Sequence, residues 1–597
     1  MCGIIGCVGR GDGTLDTLVH GLSKLEYRGY DSAGIALAGN GALRVLKRAG
    51  ELDNLREAIG GDGLSGSIGI GHTRWSTHGP PTDENAHPHS DCTGDVAVVH
   101  NGIIENYQSL RDELEADGHA FASETDTEVI PHLVEAELDA GADPEAAFRA
   151  AIDRLEGSFA VACVIEASDS VFVARNDSPL VLGLADDATF LASDVPAFRE
   201  FTDRVVYLDD GEFAELWSGG WRVTDADGHP VEKPVETVSW SAEDTGKSGY
   251  DHFMLKEIHE QPRALRQCLS GRVNELAGDV TVEELGELEL DRAHLVAAGT
   301  SYHAAVYGAQ LLCSAGVPAE AHYAHEYAVS PPPIEDATVI GVSQSGETAD
   351  TLAATREARR RGAETLALTN TVGSTMSREC DRTFYIRSGP EIGVAATKTF
   401  AGQQTALNLL AEAATPGPAD RDVVSALRDL PSNVQAVLDE STAEEVADAY
   451  LNSDAYFFIG RGLNYPVSLE GALKMKEISY EHAEGFAAGE LKHGPLALVT
   501  GETPVFATVI GDGEFARKTV GNVKEVEARD APVVAVTDGR SDAGRYADHV
   551  LEVPETHPRT AAILANVQLQ LVSYYTAAKL GRSIDKPRNL AKSVTVE

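Results

Sequence analysis

The fold of the second half of the chain is constrained most by a repeated pattern. In this pattern, short apolar strands run directly into loops and long helices. Residues 295–298 lead into the loop 299–301, and residues 338–342 lead into the serine-rich loop 343–348 and then a helix up to Arg361. Residues 366–369 form a further apolar strand. The order strand, loop, helix, strand is typical of a doubly wound parallel sheet. The sequence therefore predicts an α/β fold here.

A second unit of the same kind follows. Residues 455–460 form a strand that ends in a glycine-containing turn, and a long helix is predicted over residues 466–482. Residues 505–510 and 533–537 are two further apolar strands. Two units of similar size predict a tandem repeat, in which the second copy lacks the serine-rich loop.

Residues 1–217 have a different pattern, with short strands, glycine turns and a few helices in uneven order. Strands are predicted at residues 3–8, 33–38, 68–71, 96–100, 158–164, 171–174 and 189–192, and helices near 14–25, 106–117, 127–140 and 143–155. This order favours a layered α+β domain over regular βαβ winding.

The predicted domain boundaries follow from these changes of pattern. Residues 218–250 are polar and interrupted by Pro and Gly, which predicts a linker. The divisions are an N-terminal domain at 2–217, the linker at 218–250, α/β domains at 251–430 and 431–585, and a C-terminal tail at 586–597.

The charge of the chain excludes some partners. The sequence has 94 acidic and 48 basic residues and a net charge of -46, with the acidic residues spread along its whole length. Such a field repels nucleic acid and anionic membranes. It is typical of a surface adapted to a high-salt cytoplasm, and an unusually soluble ordinary cytosolic protein is the alternative.

Cysteine usage and hydropathy indicate which kinds of protein the chain does not resemble. The 7 cysteines are scattered and contain no CxxC pair, which argues against a disulfide framework or a zinc site. Neither a signal peptide nor an apolar run of 18 residues is present, so we expect a cytoplasmic protein.

Cys2 is the first candidate for chemistry. When Met1 is removed, its thiol and a free α-amino group share one residue. An α-amino group titrates near pH 7.7–8.0 and can act as the general base for a thiol nucleophile. The alternative is a buried structural cysteine.

Three clusters in the same domain could serve such a nucleophile. Arg74, in the loop 71–79, offers a planar fork suited to a carboxylate, or a surface ion pair. Asn101 and Gly102 could form an oxyanion hole or only a turn. Asp126 could hold a substrate ammonium or cap a helix.

The loop 343–348 is the strongest motif of the second half. Three hydroxyls, a glycine and a following helix N-terminus predict a phosphate-monoester site, and Thr300 and Ser301 on the neighbouring strand end add donors. The alternative is a serine-rich turn with a capping threonine. No GKT or GKS element is present, so nucleotide hydrolysis is not indicated.

Lys474 and Glu477 lie three residues apart on the predicted helix 466–482, hence on one face. A buried carboxylate beside a lysine is suited to moving a proton between adjacent sugar carbons. The alternative is a surface ion pair, which Glu470 and Lys474 also fit.

Taken together, the N-terminal motifs resemble the class II glutamine amidotransferases. The motifs that carry the resemblance are residues 2–6, 27–34, 71–79, 101–106 and 124–127. The resemblance implies a four-layer αββα fold in which Cys2 attacks the glutamine amide and Asn101 and Gly102 stabilise the oxyanion. It also implies a glutamine pocket formed by Arg28, Arg74, Trp75, Thr77, His78 and Asp126.

The second half resembles paired sugar-isomerase (SIS) domains, and the two resemblances cover essentially the whole chain. They imply transfer of ammonia from glutamine to fructose 6-phosphate and isomerization to glucosamine 6-phosphate, without metal or organic cofactor. Glu477, with Lys474 nearby, would move the proton and Lys592 would form an imine with the sugar. The implied sugar-binding residues are Thr300, Ser301, Ser343, Gln344, Ser345, Thr348, Val394 and Ala591.

The same resemblance implies a homodimer in which His493 assists ring opening in the neighbouring subunit. Two alternatives remain at this stage. Another class II amidotransferase would need a pyrophosphate-binding or ATP-pyrophosphatase motif, and neither is found. A non-enzymatic sugar-phosphate sensor would not need Cys2, Glu477 or Lys592.

Overall fold

The computed structural model describes residues 2–39, 42–60, 64–76, 78–238, 246–274, 278–286, 288–415 and 419–594. Contacts along the chain divide it into two units. The first is Met1–Thr245 with Ala591–Glu597, and the second is Gly246–Leu590.

Strands dominate the first unit. They are Gly3–Val8 (β1), Ser32–Gly39 (β2), Ala42–Ala49 (β3), Ile68–Arg74 (β4), His89–Ser90 (β5), Val96–Ile104 (β6), Gly157–Ile165 (β7), Ser170–Asn176 (β8), Val181–Leu184 (β9), Thr189–Ala192 (β10), Arg204–Tyr207 (β11), Phe213–Trp217 (β12), Gly220–Thr224 (β13) and Glu236–Thr237 (β14). The helices are Thr14–Leu25 (α1), Leu52–Ile59 (α2), Tyr107–Ala116 (α3), Val129–Asp139 (α4) and Pro144–Ile152 (α5).

These strands form two antiparallel sheets, of order β14-β11-β9-β10-β1-β4-β2-β3 and β13-β12-β8-β7-β6-β5. Successive side chains of a strand point to opposite faces. Thus Ile4 packs in the apolar cluster shared by the two sheets, and Ile5 packs against α1. A third cluster joins the six-stranded sheet to α3, α4 and α5. The four-layer αββα expectation is confirmed.

The second unit is built on parallel strands. Its strands are Val273–Asn274 (β15), Asp279–Val280 (β16), Ala293–Ala297 (β17), Ala319–Tyr323 (β18), Thr338–Ser343 (β19), Glu364–Thr369 (β20), Arg382–Tyr385 (β21), Tyr456–Gly460 (β22), Ala483–Ala487 (β23), Val505–Val509 (β24), Val533–Thr537 (β25) and His549–Glu552 (β26). Its helices are Phe253–Leu269 (α6), Gly299–Ser314 (α7), Ala324–Val329 (α8), Ala349–Arg360 (α9), Thr375–Glu379 (α10), Lys398–Ala414 (α11), Arg421–Glu440 (α12), Ala443–Ala449 (α13), Asn464–Ser479 (α14), Glu514–Glu527 (α15) and Pro558–Lys579 (α16).

The two five-stranded sheets of this unit have the same connectivity. Their orders are β18-β17-β19-β20-β21 and β23-β22-β24-β25-β26, with every pair parallel. This is the doubly wound order 2-1-3-4-5, in which ligands bind beyond the carboxyl ends of the strands. The predicted α/β fold and its internal repeat are therefore confirmed.

The structure corrects two details of the sequence interpretation. Regular structure does not stop at Ser218, because β13 pairs with β12 and β14 pairs with β11. The predicted boundary at residue 430 falls inside α12, which continues through Pro431. One apolar cluster runs from Met254 to Ile584 and includes residues of both sheets, so the two halves of this unit share a core.

None of the described helices is both long enough and apolar enough to span a membrane.

Candidate functional site

Cys2 lies immediately before β1, where the pairing of β1 with β4 brings Trp75 beside it. The Trp75 backbone N–H donates to Cys2 Sγ at 3.2 Å, and the thiol lies 3.5 Å from the Trp75 carbonyl oxygen. The Trp75 ring packs edge-on against Tyr30 at 5.5 Å between centroids. The thiol is thus held at the end of the sheet while Cys2 stays partly exposed.

Two side chains fix the backbone of Cys2. Asn101 Nδ2 donates to the Cys2 carbonyl at 3.0 Å, and Arg28 Nε donates to the same oxygen at 3.1 Å. Arg28 is buried, and its Nη1 lies 3.4 Å from Asp194 Oδ2, which also accepts from the Tyr27 hydroxyl. Arg28 therefore supports Cys2 through a buried ion pair.

His72 determines which way the Asn101 amide points, and the sequence interpretation gave it no role. His72 Nε2 lies 3.1 Å from the His100 carbonyl oxygen and 3.1 Å from Asn101 Oδ1. A carbonyl only accepts, so Nε2 carries the proton and donates to Oδ1 as well. This leaves Nδ2 of Asn101 facing Cys2. Burial lowers the pKa of His72 to about 3, so the ring is neutral.

Gly102, in β6, has a backbone conformation that only glycine tolerates. Its φ is +126°, and a Cβ there would lie 1.9 Å from the Ser158 carbonyl oxygen. A side chain would therefore force β6 and β7 apart beside Asn101.

Arg74 organises the loop that follows β4. Its guanidinium donates to the carbonyls of Gly79 at 3.3 Å, Pro80 at 3.5 Å and also His78. Arg74 is 3% exposed, so the alternative of a surface ion pair is wrong. The His78 ring packs against Tyr107 at 5.7 Å. Thr77, the remaining candidate of this loop, lies outside the described residues.

Asp126 is buried and does not cap a helix. Its Oδ2 accepts from the Ile104 backbone N–H at 2.9 Å, at the end of β6. The residue that precedes α4 is Glu128, which makes no side-chain cap bond. The capping alternative is therefore wrong, and the contact places Asp126 at the strand that carries Asn101.

The serine-rich loop of the second unit connects β19 to α9. Ser343 Oγ accepts from the Gly346 N–H at 3.0 Å and lies 3.0 Å from Thr348 Oγ1, and Ser345 Oγ accepts from the Glu347 N–H at 3.1 Å. Thr348 precedes α9 without a side-chain cap bond, which excludes the alternative of a capping threonine. Hydroxyls and a helix N-terminus therefore converge at one strand end.

Four other sugar-site candidates lie near strand or helix ends. Thr300 and Ser301 are in the first turn of α7, after β17, which neighbours β19. Gln403 Nε2 donates to Ser301 Oγ at 2.8 Å. Gln344 remains in the loop, where its carbonyl accepts from the Asn370 N–H at 3.1 Å. Val394 is buried, and its N–H donates to the Asp585 carbonyl at 3.3 Å.

Lys474 on α14 is a buried cation between two carboxylates. Its Nζ lies 3.3 Å from Glu470 Oε1, donates to Thr300 Oγ1 at 3.0 Å and also donates to Glu477. Lys474 and Glu470 are fully buried, so the surface-pair alternative is wrong. Burial alone would lower the pKa of Lys474, but the carboxylates of Glu470 and Glu477 raise it above its ordinary value. This cation remains charged.

Glu470 is a further residue that the sequence interpretation treated only as a surface partner. Besides Lys474, it accepts from Thr300 Oγ1 at 3.1 Å and binds His303 Nδ1 at 2.8 Å. It therefore links α14 to α7, one helix from each half of the second unit. Glu470 lies four residues before Lys474, and this spacing, which puts both on one helix face, is the sequence signal that could have identified it.

The remaining candidates are His493, Ala591 and Lys592. His493 is exposed, at the end of a short 3₁₀ helix, Glu490–His493. Ala591 and Lys592 are half-buried in the C-terminal segment, which groups with the first unit by its contacts.

Comparison with known families agrees with this architecture. The glutamine amidotransferase domain family matches residues 72–200, and the SIS domain family matches residues 289–413 and 450–580. The fold and the matches define the class: a glutamine amidotransferase domain joined to two SIS domains.

Full-length relatives narrow the class. The glutamine--fructose-6-phosphate aminotransferase [isomerizing] of Halobacterium salinarum is 54% identical over 618 residues, and that of Symbiobacterium thermophilum is 48% identical over 613 residues, with 100% of each chain covered. The chain belongs to the glutamine--fructose-6-phosphate aminotransferase (isomerizing) family of enzymes.

A solved structure supports the fold of the second unit. The C-terminal domain of the glucosamine-fructose-6-phosphate aminotransferase from Francisella tularensis is 34% identical with a TM-score of 0.54. The match covers 57% of this chain and 100% of that domain.

Proposed function

We propose that this protein transfers the amide nitrogen of glutamine to fructose 6-phosphate and isomerizes the product to glucosamine 6-phosphate, releasing glutamate. This would be the first step of amino-sugar biosynthesis. The observation that carries the proposal is the Cys2 site, with its Asn101 and Arg28 contacts, in one chain with the hydroxyl-rich loop 343–348. The names of the full-length relatives give the same reaction.

In the glutaminase half, the thiol of Cys2 attacks the side-chain amide carbon of glutamine. The α-amino group, free once Met1 is removed, takes the thiol proton and returns it to the departing nitrogen as ammonia. Water then cleaves the γ-glutamyl thioester to glutamate. The Asn101 amide and the Gly102 N–H act as oxyanion donors.

The glutamine pocket is assigned to six residues of the N-terminal motifs. They are Arg28, Arg74, Trp75, Thr77, His78 and Asp126. Because the Arg74 guanidinium donates to the carbonyls of Gly79 and Pro80, its contribution is to hold the shape of this loop.

In the isomerase half, the sugar phosphate binds the hydroxyl-rich loop and the neighbouring start of α7. The residues assigned to this binding are Thr300, Ser301, Ser343, Gln344, Ser345, Thr348, Val394 and Ala591. Hydroxyl donors and helix N-termini favour a phosphate dianion.

Proton transfer between C1 and C2 of the sugar is assigned to Glu477. Lys474 donates to its carboxylate and so holds it in a fixed position. Lys592 forms an imine with the C2 carbonyl of the open-chain ketose and releases water, and ammonia then displaces the lysine amine to leave its nitrogen on C2. The chemistry of this imine and carboxylate pair requires no metal or organic cofactor.

We further propose a homodimer that works in a high-salt cytoplasm. His493 and Leu498 are exposed in one short segment, and 59% of Leu498 is accessible, which suits a segment that contacts a second subunit. The net charge of -46 supports the high-salt setting.

The test compares Cys2→Ala with Cys7→Ala in the full chain, given glutamine and fructose 6-phosphate. Cys2→Ala is expected to release no glutamate above background while fructose 6-phosphate still raises its unfolding temperature. Cys7 is a matched control because it lies in β1 and burial raises its pKa to about 12, so it stays a neutral thiol.

Glutamate release by Cys2→Ala would overturn the assignment of the nucleophile. Absence of an amino sugar phosphate from the unaltered protein, after mass spectrometry has verified Met1 removal, would overturn the proposed reaction.

A further inference from the structure

Four potential metal ligands meet in the first unit, outside the Cys2 site. They are Cys92 in the turn between β5 and β6, His119 between α3 and α4, and His132 and Glu135 on α4. One ligand atom from each lies within 4.8 Å of all the others. Three separate segments therefore bring a thiol, two imidazoles and a carboxylate to one point.

The distances between these atoms are close to those between the ligands of a single metal ion. Cys92 Sγ lies 3.8 Å from His119 Nδ1 and 3.6 Å from His132 Nδ1. Glu135 Oε2 lies 2.8 Å from the first nitrogen and 3.2 Å from the second. Tetrahedral zinc places sulfur and nitrogen ligands about 3.6 Å apart, and nitrogen and oxygen ligands about 3.3 Å apart. Of these four pairs, the His119–Glu135 pair would need to widen by about half an ångström.

Surrounding groups hold the ligands in these orientations. His132 is fully buried, and the Glu128 carboxylate lies 3.9 Å from Nε2, the ring nitrogen that does not face the cluster. The Ala120 N–H donates to Cys92 Sγ at 3.4 Å, a contact that stabilises a thiolate.

We propose that Cys92, His119, His132 and Glu135 bind one structural zinc ion. One sulfur and two imidazole ligands with a single carboxylate favour Zn²⁺ over Mg²⁺ or Ca²⁺, which prefer oxygen ligands. Four protein ligands fill a tetrahedral shell and leave no position for substrate, so the site is structural.

The ion would connect the turn after β5 to the first turns of α4. Asp126 and Glu128 directly precede that helix, so the zinc site would also steady the segment that carries Asp126. The sequence argument against zinc relied on the absence of CxxC pairs. Here the ligands are spaced by 27, 13 and 3 residues, and only folding brings them together.

The test measures the metal content of the untagged full chain after gel filtration. We expect about one zinc per chain, and replacement by Co²⁺ should give a thiolate-to-cobalt charge-transfer band. Cys92→Ser should remove that band, and after gel filtration it should hold much less than one zinc per chain because one of the four ligands is lost. Cys92 is exposed, so this substitution is compatible with folding.

Two control variants test whether the change in zinc content is specific to this cluster. Cys313→Ser changes another exposed cysteine, and His229→Ala changes the exposed Asp225, Asp227 and His229 cluster, so neither should alter the zinc content. Removing zinc with a chelator should lower the unfolding temperature of the unaltered protein but not that of Cys92→Ser.

Protein that holds less than about one zinc per ten chains, and takes up none when zinc is supplied, would overturn the proposal. Full zinc content in Cys92→Ser, or a cobalt-substituted protein without the charge-transfer band, would also overturn it. In either case the cluster would be only a hydrogen-bonded network centred on Glu135.

Discussion

The Asn101 amide is held by contacts at both of its ends. His72 donates to Oδ1, and Nδ2 donates to the Cys2 carbonyl. An amide group can rotate by 180°, which exchanges the positions of its oxygen and its nitrogen. Because the His72 N–H requires the amide oxygen on its side, the amide nitrogen must face Cys2. His72 is therefore a positioning residue for the proposed oxyanion site, and it acts through Asn101.

His72→Phe should lower the kcat of glutamine hydrolysis about tenfold to hundredfold, with a much smaller change in KM. The lost N–H frees the Asn101 amide, and deleting a whole oxyanion donor costs about 10²–10³ in kcat. His72→Gln, whose side-chain N–H can reach the same position, should recover part of the loss. The measurement is steady-state glutamate release.

A purely structural role for His72 would predict a different pattern. His72→Phe and His72→Gln would then lower the unfolding temperature and leave kcat per folded molecule unchanged. That outcome would contradict the positioning role.

At the scale of elements, most strands and helices were predictable because their patterns are local. The expected bounds of β1 and α1 agree with the structure, and the serine-rich loop joins a strand to a helix as predicted. The edge strand β13 was missed because its five residues are too few to show a clear period, and its pairing with β12 decides its conformation.

Gly346→Ala should raise the KM for fructose 6-phosphate at least about tenfold. Gly346 has φ +65°, and a Cβ there would lie 2.2 Å from Ser374 Oγ, so the loop 343–348, to which we assign phosphate binding, would have to move. A tenfold change corresponds to about 1.4 kcal/mol of binding. The measurement is amino sugar phosphate formation against fructose 6-phosphate concentration.

The matched control is Gly362→Ala. Gly362 follows the same α9 helix with φ +88°, but a Cβ there meets nothing within 4 Å. This variant should lose about 1–3 kcal/mol of stability and keep its KM. Equal KM values in Gly346→Ala and the unaltered protein would contradict a phosphate role for this loop.

At the scale of the whole molecule, the surface charge is the dominant feature. The net charge of -46 is distributed over the chain, so repulsion opposes the compact state wherever salt does not screen it. Raising salt from 0.1 to 1 M shortens the screening length from about 10 Å to about 3 Å.

The unfolding temperature should therefore rise by at least about 4 °C between 0.1 and 1 M KCl, measured by circular dichroism. Sucrose at equal osmolality adds no ions and should give a smaller rise. An unfolding temperature that stays constant or falls over this range would contradict a salt-adapted surface.

The sequence by itself determined the order of the elements, the doubly wound second half, the hydroxyl-rich loop and the nucleophile candidate at Cys2. Each of these depends on spacing within a short stretch of chain. The tertiary structure alone decided which way the Asn101 amide faces, that Lys474 and Glu470 are buried, and that Cys92, His119, His132 and Glu135 meet. Those features depend on contacts between distant segments, and a linear pattern does not specify which distant polar groups will share one buried environment.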